Sequence, residues 1–355
     1  MAEFIATRSI PAAAWMRKLA LAAVLLGFVV VVLGAYVRLT AAGLGCPDWP
    51  GCYGHVTPLG AEQSVADGVV LPGAPLDVAK AWHEMIHRYA ASILVFLIVV
   101  IAALAIATRH ESAARVRYSV ALLGIIVLQA ALGMLTVTWQ LKPAIVTLHL
   151  LFGMTTLGLI WWLWLTLRAA GAERWGASSG AARRSQSSVR TRRLTILALV
   201  VLGVQIALGG WTSSNYAAVA CPDFPTCQGS WWPVMDYAHA FVFWRPLGID
   251  YQGGVLSNPA RIAIHFTHRL GALVTTCALI AAAVTVLRQR ALEASRVAAV
   301  CVLAALAAQV SIGISMVLRG FPLWLATAHN AGAALTLLAV LALLHSLRAA
   351  PLLAQ

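Results

Sequence analysis

The chain has 355 residues, of which 61% are hydrophobic and only 10% charged. That share of polar surface is too small to keep a domain of this size in water, which excludes a soluble globular protein. The formal charge of +13 does not mark a nucleic-acid binder, because the basic residues lie between apolar blocks rather than along one soluble face.

The apolar blocks reach about 20 residues with their weakly polar flanks, the length a helix needs to cross a bilayer. Backbone polar groups must be satisfied internally there, so the spans are helices. In chain order they are predicted over 17–37, 85–108, 118–139, 145–167, 194–213, 263–287, 297–318 and 325–347. The expected fold is an all-α integral membrane protein with eight transmembrane helices, arranged as two pseudo-symmetric four-helix bundles. The first span is too long, and too strongly followed by others, to be only a cleaved signal peptide. Seven arginines fall between Arg168 and Arg193. Arg109, Arg115 and Arg117 fill a second short loop, and Arg288, Arg290 and Arg296 a third. By the positive-inside rule these loops and both termini are cytoplasmic. The long loops 38–84 and 214–262 then face outward, and compactness without a transit-like leader points to a bacterial cell inner membrane.

The first outer loop carries Cys46-Pro-Asp-Trp-Pro-Gly-Cys52. Two thiols so spaced on the oxidising side can close a small disulfide loop, and a redox-active pair is the alternative. At the mouth of the second span, His83-Glu84-Met85-Ile86-His87 matches the HExxH zinc-protease motif. The match is short and has no compelling third zinc ligand. Glu84 and His87 share a helix face. Glu84 is therefore a candidate acid/base group, or else a solvated first-turn residue favoured by the helix dipole.

Past the linker the pattern returns. Cys221-Pro-Asp-Phe-Pro-Thr-Cys227 repeats the cysteine loop at an offset of 175. His268-Arg269 repeats His87-Arg88 at 181, and His329 repeats His149 at 180. Gln129 and Gly133 return as Gln309 and Gly313. The chain thus divides into an N-terminal half (1–167), a basic cytoplasmic linker (168–193) and a C-terminal half (194–355). The HExxH copy does not survive the repeat, since His265 stands where Glu84 would be. Histidine inside a span is costly and usually functional. His87 and His149 open spans that run the same way, so they lie level near the outer face, and His268 and His329 do likewise. Two such imidazoles can supply axial ligands to one haem iron. Arg88 and Arg269 either pair with haem propionates through a planar fork or anchor the interface. Cys277 and Cys301 are read as inert apolar packing, and His55, His110, His239 and His345 receive no role.

In combination and order, Glu84-Met-Ile-His87-Arg88, His149, His268-Arg269, His329 and the first-loop cysteines resemble the haem A synthase family over nearly the whole chain. The resemblance implies an oxidoreductase that converts a methyl group of haem O to the formyl group of haem A. It makes His87, His149 and Arg88 the haem O site, with Glu84 as the catalytic carboxylate. His268, His329 and Arg269 would hold a haem b cofactor. Cys46 and Cys52 match the family's first-loop pair, and Cys221 and Cys227 have counterparts in many members. The expected partners are the lipid bilayer, haem O synthase, terminal-oxidase assembly factors and an electron donor that the sequence does not identify. His83 and His265 lie outside the pattern. The competing reading is a dihaem b-type electron-transfer protein with equivalent halves.

Overall fold

The computed structural model describes residues 9–61, 63, 77–110, 112–174, 189–289 and 293–348. Eight long helices dominate it. They are α1 (Ser9–Leu39), α2 (Val78–Ala107), α3 (Ala113–Thr138), α4 (Pro143–Arg174), α5 (Val189–Ser214), α6 (Asn258–Arg288), α7 (Glu293–Leu318) and α8 (Leu323–Ser346). All eight are long and apolar enough to cross a membrane, as expected, and among the described residues there is no strand beyond isolated bridges in the cysteine loops.

Local chemistry sets the helix ends. The Asp77 carboxylate caps α2 by accepting the Lys80 N–H at 3.1 Å, and Ser112 caps α3 from Arg115 at 3.3 Å. Pro143 and Pro259 sit in first turns, where the missing N–H costs nothing. The turns after α3 and α7 are tight, with positive φ at Gln140 and Leu141 and at Gly320 and Phe321. Several helices begin earlier than their apolar windows. α2 starts at Val78 rather than 85, α5 at Val189 rather than 194, and α6 at Asn258 rather than 263. Polar turns continue a helix past its hydrophobic core, and hydropathy does not register them. For the same reason α4 runs through Arg174 and α5 begins at Val189, inside the expected linker. The linker's middle, 175–188, lies outside the described residues.

Lipid tails give helices no hydrophobic reason to associate, so close packing of small side chains takes over. Ala20, Ala23, Ala198, Ala282, Ala283, Ala299 and Ala334 line the buried contacts, interleaved with Leu and Ile. Large apolar residues such as Leu25, Phe96 and Val127 lie exposed on the outer faces, where a bilayer would solvate them. Contacts run α1–α2–α3–α4 and back to α1, and likewise α5–α6–α7–α8 and back to α5. The two rings meet through α4 with α5, α8 with α1, and α8 with α4.

Candidate functional site

The site begins with the two cysteine loops. Cys46 and Cys52 are bonded with Cα atoms 4.8 Å apart, and Cys221 and Cys227 with theirs 4.7 Å apart. The aspartate inside each motif ties its loop shut. Asp48 accepts the N–H groups of Tyr53 and Gly54, at 2.6 and 2.9 Å. Asp223 accepts those of Gln228 and Gly229, at 2.5 and 3.0 Å. The Thr226 hydroxyl, helped by the Gly229 and Gln228 N–H groups, holds the Asp223 carboxyl below the usual carboxylate range.

Arg88 and Arg269 reach from the helices into these loops. Arg88 donates to the carbonyls of Asp48, Pro50 and Gly51. Arg269 donates to Thr226, Cys221 and Asp223 at 2.7, 3.0 and 2.8 Å. The fork expected to face a propionate is thus occupied by backbone carbonyls in both halves. Below each arginine sits the residue four places earlier. Glu84, only 4% exposed, forms an ion pair with Arg88 and accepts the Cys46 N–H at 2.9 Å. In the other half His265, equally buried, accepts from Arg269 Nε at 3.3 Å. Glu84 is therefore not a solvated first-turn residue, because α2 begins a turn and a half before it. His265 occupies the corresponding place beside Arg269. His83 packs edge-on against Tyr36.

Beneath the loops, every candidate ligand histidine rests on a glycine of the neighbouring helix. A Cβ at Gly34 would lie 3.0 Å from His87 Cε1, and one at Gly133 3.2 Å from that of His149. The same atoms approach at 3.3 Å for Gly209 and His268, and at 2.9 Å for Gly313 and His329. A Cβ at any of these positions would crowd the ring, most of all at Gly313. Glutamine amides flank three of them. Gln129 Nε2 lies 3.5 Å from His149, Gln309 Nε2 3.4 Å from His329, and Gln205 Nε2 3.1 Å from His268 Nδ1 and 3.0 Å from its carbonyl.

The His268 and His329 ring centroids are 6.5 Å apart. Imidazole nitrogens bind first-row metals at about 2 Å. With ring radii added, a bis-imidazole iron needs centroids roughly 6 Å apart, so this pair fits a haem iron. The Nδ1 atoms of His87, His149 and His329 are buried without a hydrogen bond of good geometry, which suits side chains meant to engage a group from outside the chain. A zinc protease is not supported. Among the described residues no three His, Cys, Asp or Glu side chains come together as a metal site, and Glu84 is held by Arg88 and Cys46 instead of facing a His83–His87 pair.

Sequence reasoning missed Gly34, Gly209 and Gln205. Gly34 and Gly209 stand at the same 175 offset as the cysteine loops, so extending the repeat into α1 and α5 would have found them. It also missed the arginine–loop clamps. His345, given no role, bonds Thr166 at 3.3 Å and packs on Trp162 of α4, and His239 pairs with Asp236 in the loop between α5 and α6. Cys277 and Cys301 are free and exposed. They lie on outer helix faces and are not packed between helices, a correction that hydropathy had no means to supply.

Comparison with known proteins adds a family. A family model described as cytochrome oxidase assembly protein, COX15-CtaA, matches residues 17–341. A haem A synthase of Shewanella oneidensis is 39% identical over 328 residues, covering 91% of this chain and 93% of its own. Haem A synthases of Methylobacterium radiotolerans and Caulobacter sp. strain K31 are each 28% identical, covering 84% and 93% of this chain and 81% and 94% of theirs.

Proposed function

The chain belongs to the COX15-CtaA family of cytochrome oxidase assembly proteins, and from that premise we propose that it is a haem A synthase, an oxidoreductase of the bacterial inner membrane with both termini cytoplasmic. Its substrate is haem O, taken into the N-terminal half (1–167), and its product is haem A for terminal oxidases. The C-terminal half (194–355) holds haem b.

The observation that carries this reading is the set of four half-buried imidazoles, each seated on a glycine, with His268 and His329 at a separation that suits an iron between them. His87 and His149 bind and orient the haem O iron. His268 and His329 hold haem b, which when bound supplies one-electron transfer. Converting a methyl to a formyl group is a four-electron oxidation; with water as the oxygen source it releases four protons and four electrons to an external acceptor, so the first site must accept protons. Glu84 is the group for that task. It is buried on α2 one turn before His87, and Arg88 and the Cys46 N–H fix its carboxylate. In the C-terminal half the matching position is His265, which supports a division of labour between the halves. Arg88 and Arg269 position the disulfide loops beside the two sites. The farnesyl tail of haem O suits an intramembrane site, since the lipid-exposed helix faces are apolar.

Pigment analysis tests the proposal. Protein purified from cells that make haem O should carry haem b together with haem O or haem A. Glu84→Gln should lower haem A formation about a hundredfold or more, the range of a lost acid/base group, while total bound haem is kept. Unmodified haem b in both sites of such cells, with no haem A made, would favour the electron-transfer protein instead.

A further inference from the structure

The two sites differ at one place that the family assignment does not address. In α5, Gln205 lies one turn before Gly209, and its amide contacts both Nδ1 and the carbonyl of His268. Room for that amide comes from Gly271 in α6, where a Cβ would collide with Gln205 Oε1. At the offsets that relate the halves, Gln205 corresponds to Val30, one turn before Gly34, and Gly271 to Ala90. The first half has therefore replaced an amide and the glycine that admits it by valine and alanine. His149 and His329 also have glutamine amides beside them, Gln129 and Gln309, but these lie 3.5 and 3.4 Å from Nε2 and not from Nδ1. His87 is the one ligand candidate of the four with no side-chain amide beside it. Its Nδ1 is buried, with the Val30 backbone carbonyl alongside but outside good hydrogen-bond geometry.

We infer that Val30 and Gln205 are positioning residues that make His87 the exchangeable ligand of the chain and His268 a fixed one. This rests on the assignment of haem O to the first half and haem b to the second. With Nε2 of His268 on iron its Nδ1 carries the proton, so the Gln205 amide turns to present Oε1, otherwise unpartnered, as the acceptor; an imidazole so held keeps its orientation and its basicity as a ligand. One without a side-chain amide beside it is freer to rotate away. The asymmetry matches the two tasks. An electron relay needs ligation that does not change, whereas the substrate iron, gripped from both sides, needs one side that opens. His149, with the Gln129 amide beside it, remains as the anchor when His87 turns.

Carbon monoxide reports an open iron position independently of turnover. In dithionite-reduced protein purified with both haems, about half of the bound haem should form the carbon monoxide adduct. Gln205→Val with Gly271→Ala should bring the second haem into reaction. Val30→Gln with Ala90→Gly should weaken carbon monoxide binding at the first about fivefold, the size that one neutral hydrogen bond sets. Haem content is measured alongside by pyridine haemochrome. If the amide in α1 prevents folding, the Gln205→Val protein, which places only an apolar residue in a membrane helix, carries the test alone. The inference is overturned if both haems or neither react in the parent, or if the exchanges leave the reactive fraction unchanged with haem retained. A colourless parent would overturn the assignment of haems to this chain, and the inference with it.

Discussion

Arg88 and Arg269 occupy matching places yet face different partners, and the difference is one residue deep. Arg88 has Glu84 beneath it and Arg269 has His265. A carboxylate neutralises the guanidinium, whereas a neutral imidazole only accepts a hydrogen bond from it. Glu84 also accepts the Cys46 N–H, so the first cysteine loop and the proposed acid/base group are mechanically one unit. Replacing Arg88 with Gln should leave Glu84 buried without its counter-charge, which is costly. Haem A formation should fall at least tenfold, and the loop around Cys46 should become protease-sensitive. Activity near the parent level would show that the ion pair is dispensable. In the second loop the depressed Asp223 carboxyl gives a pH signature. Its folded pKa lies below the unfolded value of about 3.9, so its stabilisation is fully present above pH 4 and is lost as pH falls through the folded pKa. Hydrogen-exchange protection at Gln228 and Gly229, taken relative to the intrinsic rate at each pH, should therefore be high at pH 5 and fall in stronger acid. In Asp223→Asn it should be low at both. None of these pairings was legible beforehand beyond the arginine and glutamate positions, because a loop that folds back 40 residues onto a helix leaves no periodic trace in sequence.

At the scale of the helix, most of the architecture was legible. Eight apolar blocks became eight helices because a bilayer-length run of Leu, Val and Ala admits no other backbone solution. The depth of the histidines followed from helix direction alone. What stayed hidden was the packing of one helix on the next. Gly133 and Gly313 were noticed as a repeat, but their purpose appears only when α3 and α7 are seen against His149 and His329. A methyl group at Gly313 would lie 2.9 Å from the His329 ring, closer than carbon atoms pack. Gly313→Ala should therefore turn the His329 ring and reduce haem retention in the second half, with a shift of its low-spin spectrum. Gly203→Ala is the control, since a Cβ there meets nothing within 4 Å, and its spectrum should match the parent.

At the scale of the molecule, the repeat announced two halves but said nothing of what joins them. The seam is aromatic and polar. Trp161 of α4 donates to the Leu338 carbonyl of α8 at 2.9 Å, and Arg38 of α1 donates to Ser213 of α5 at 2.7 Å. Its most unusual member is Lys142, which is fully buried with no hydrogen-bond partner at Nζ among the described residues. The ammonium lies 3.3 Å over the ring of Trp244, from the loop between α5 and α6, and 5.3 Å from that of Trp139. Two effects oppose each other here. A desolvated cation over an indole gains about 2 kcal/mol, whereas burying an ammonium without hydrogen bonds costs several. The cost is the larger, so Lys142→Met should hold or raise the melting temperature. Trp244→Leu leaves the cation buried without its π face and should lower it by a few degrees. In the double variant the loss should largely disappear, since the charge that needed the indole is gone. Thermal unfolding of the four proteins in one detergent decides the matter. Should Lys142→Met destabilise as much as Trp244→Leu, the cation–π contact outweighs desolvation, and the seam is held by charge rather than by the shape of its aromatic residues.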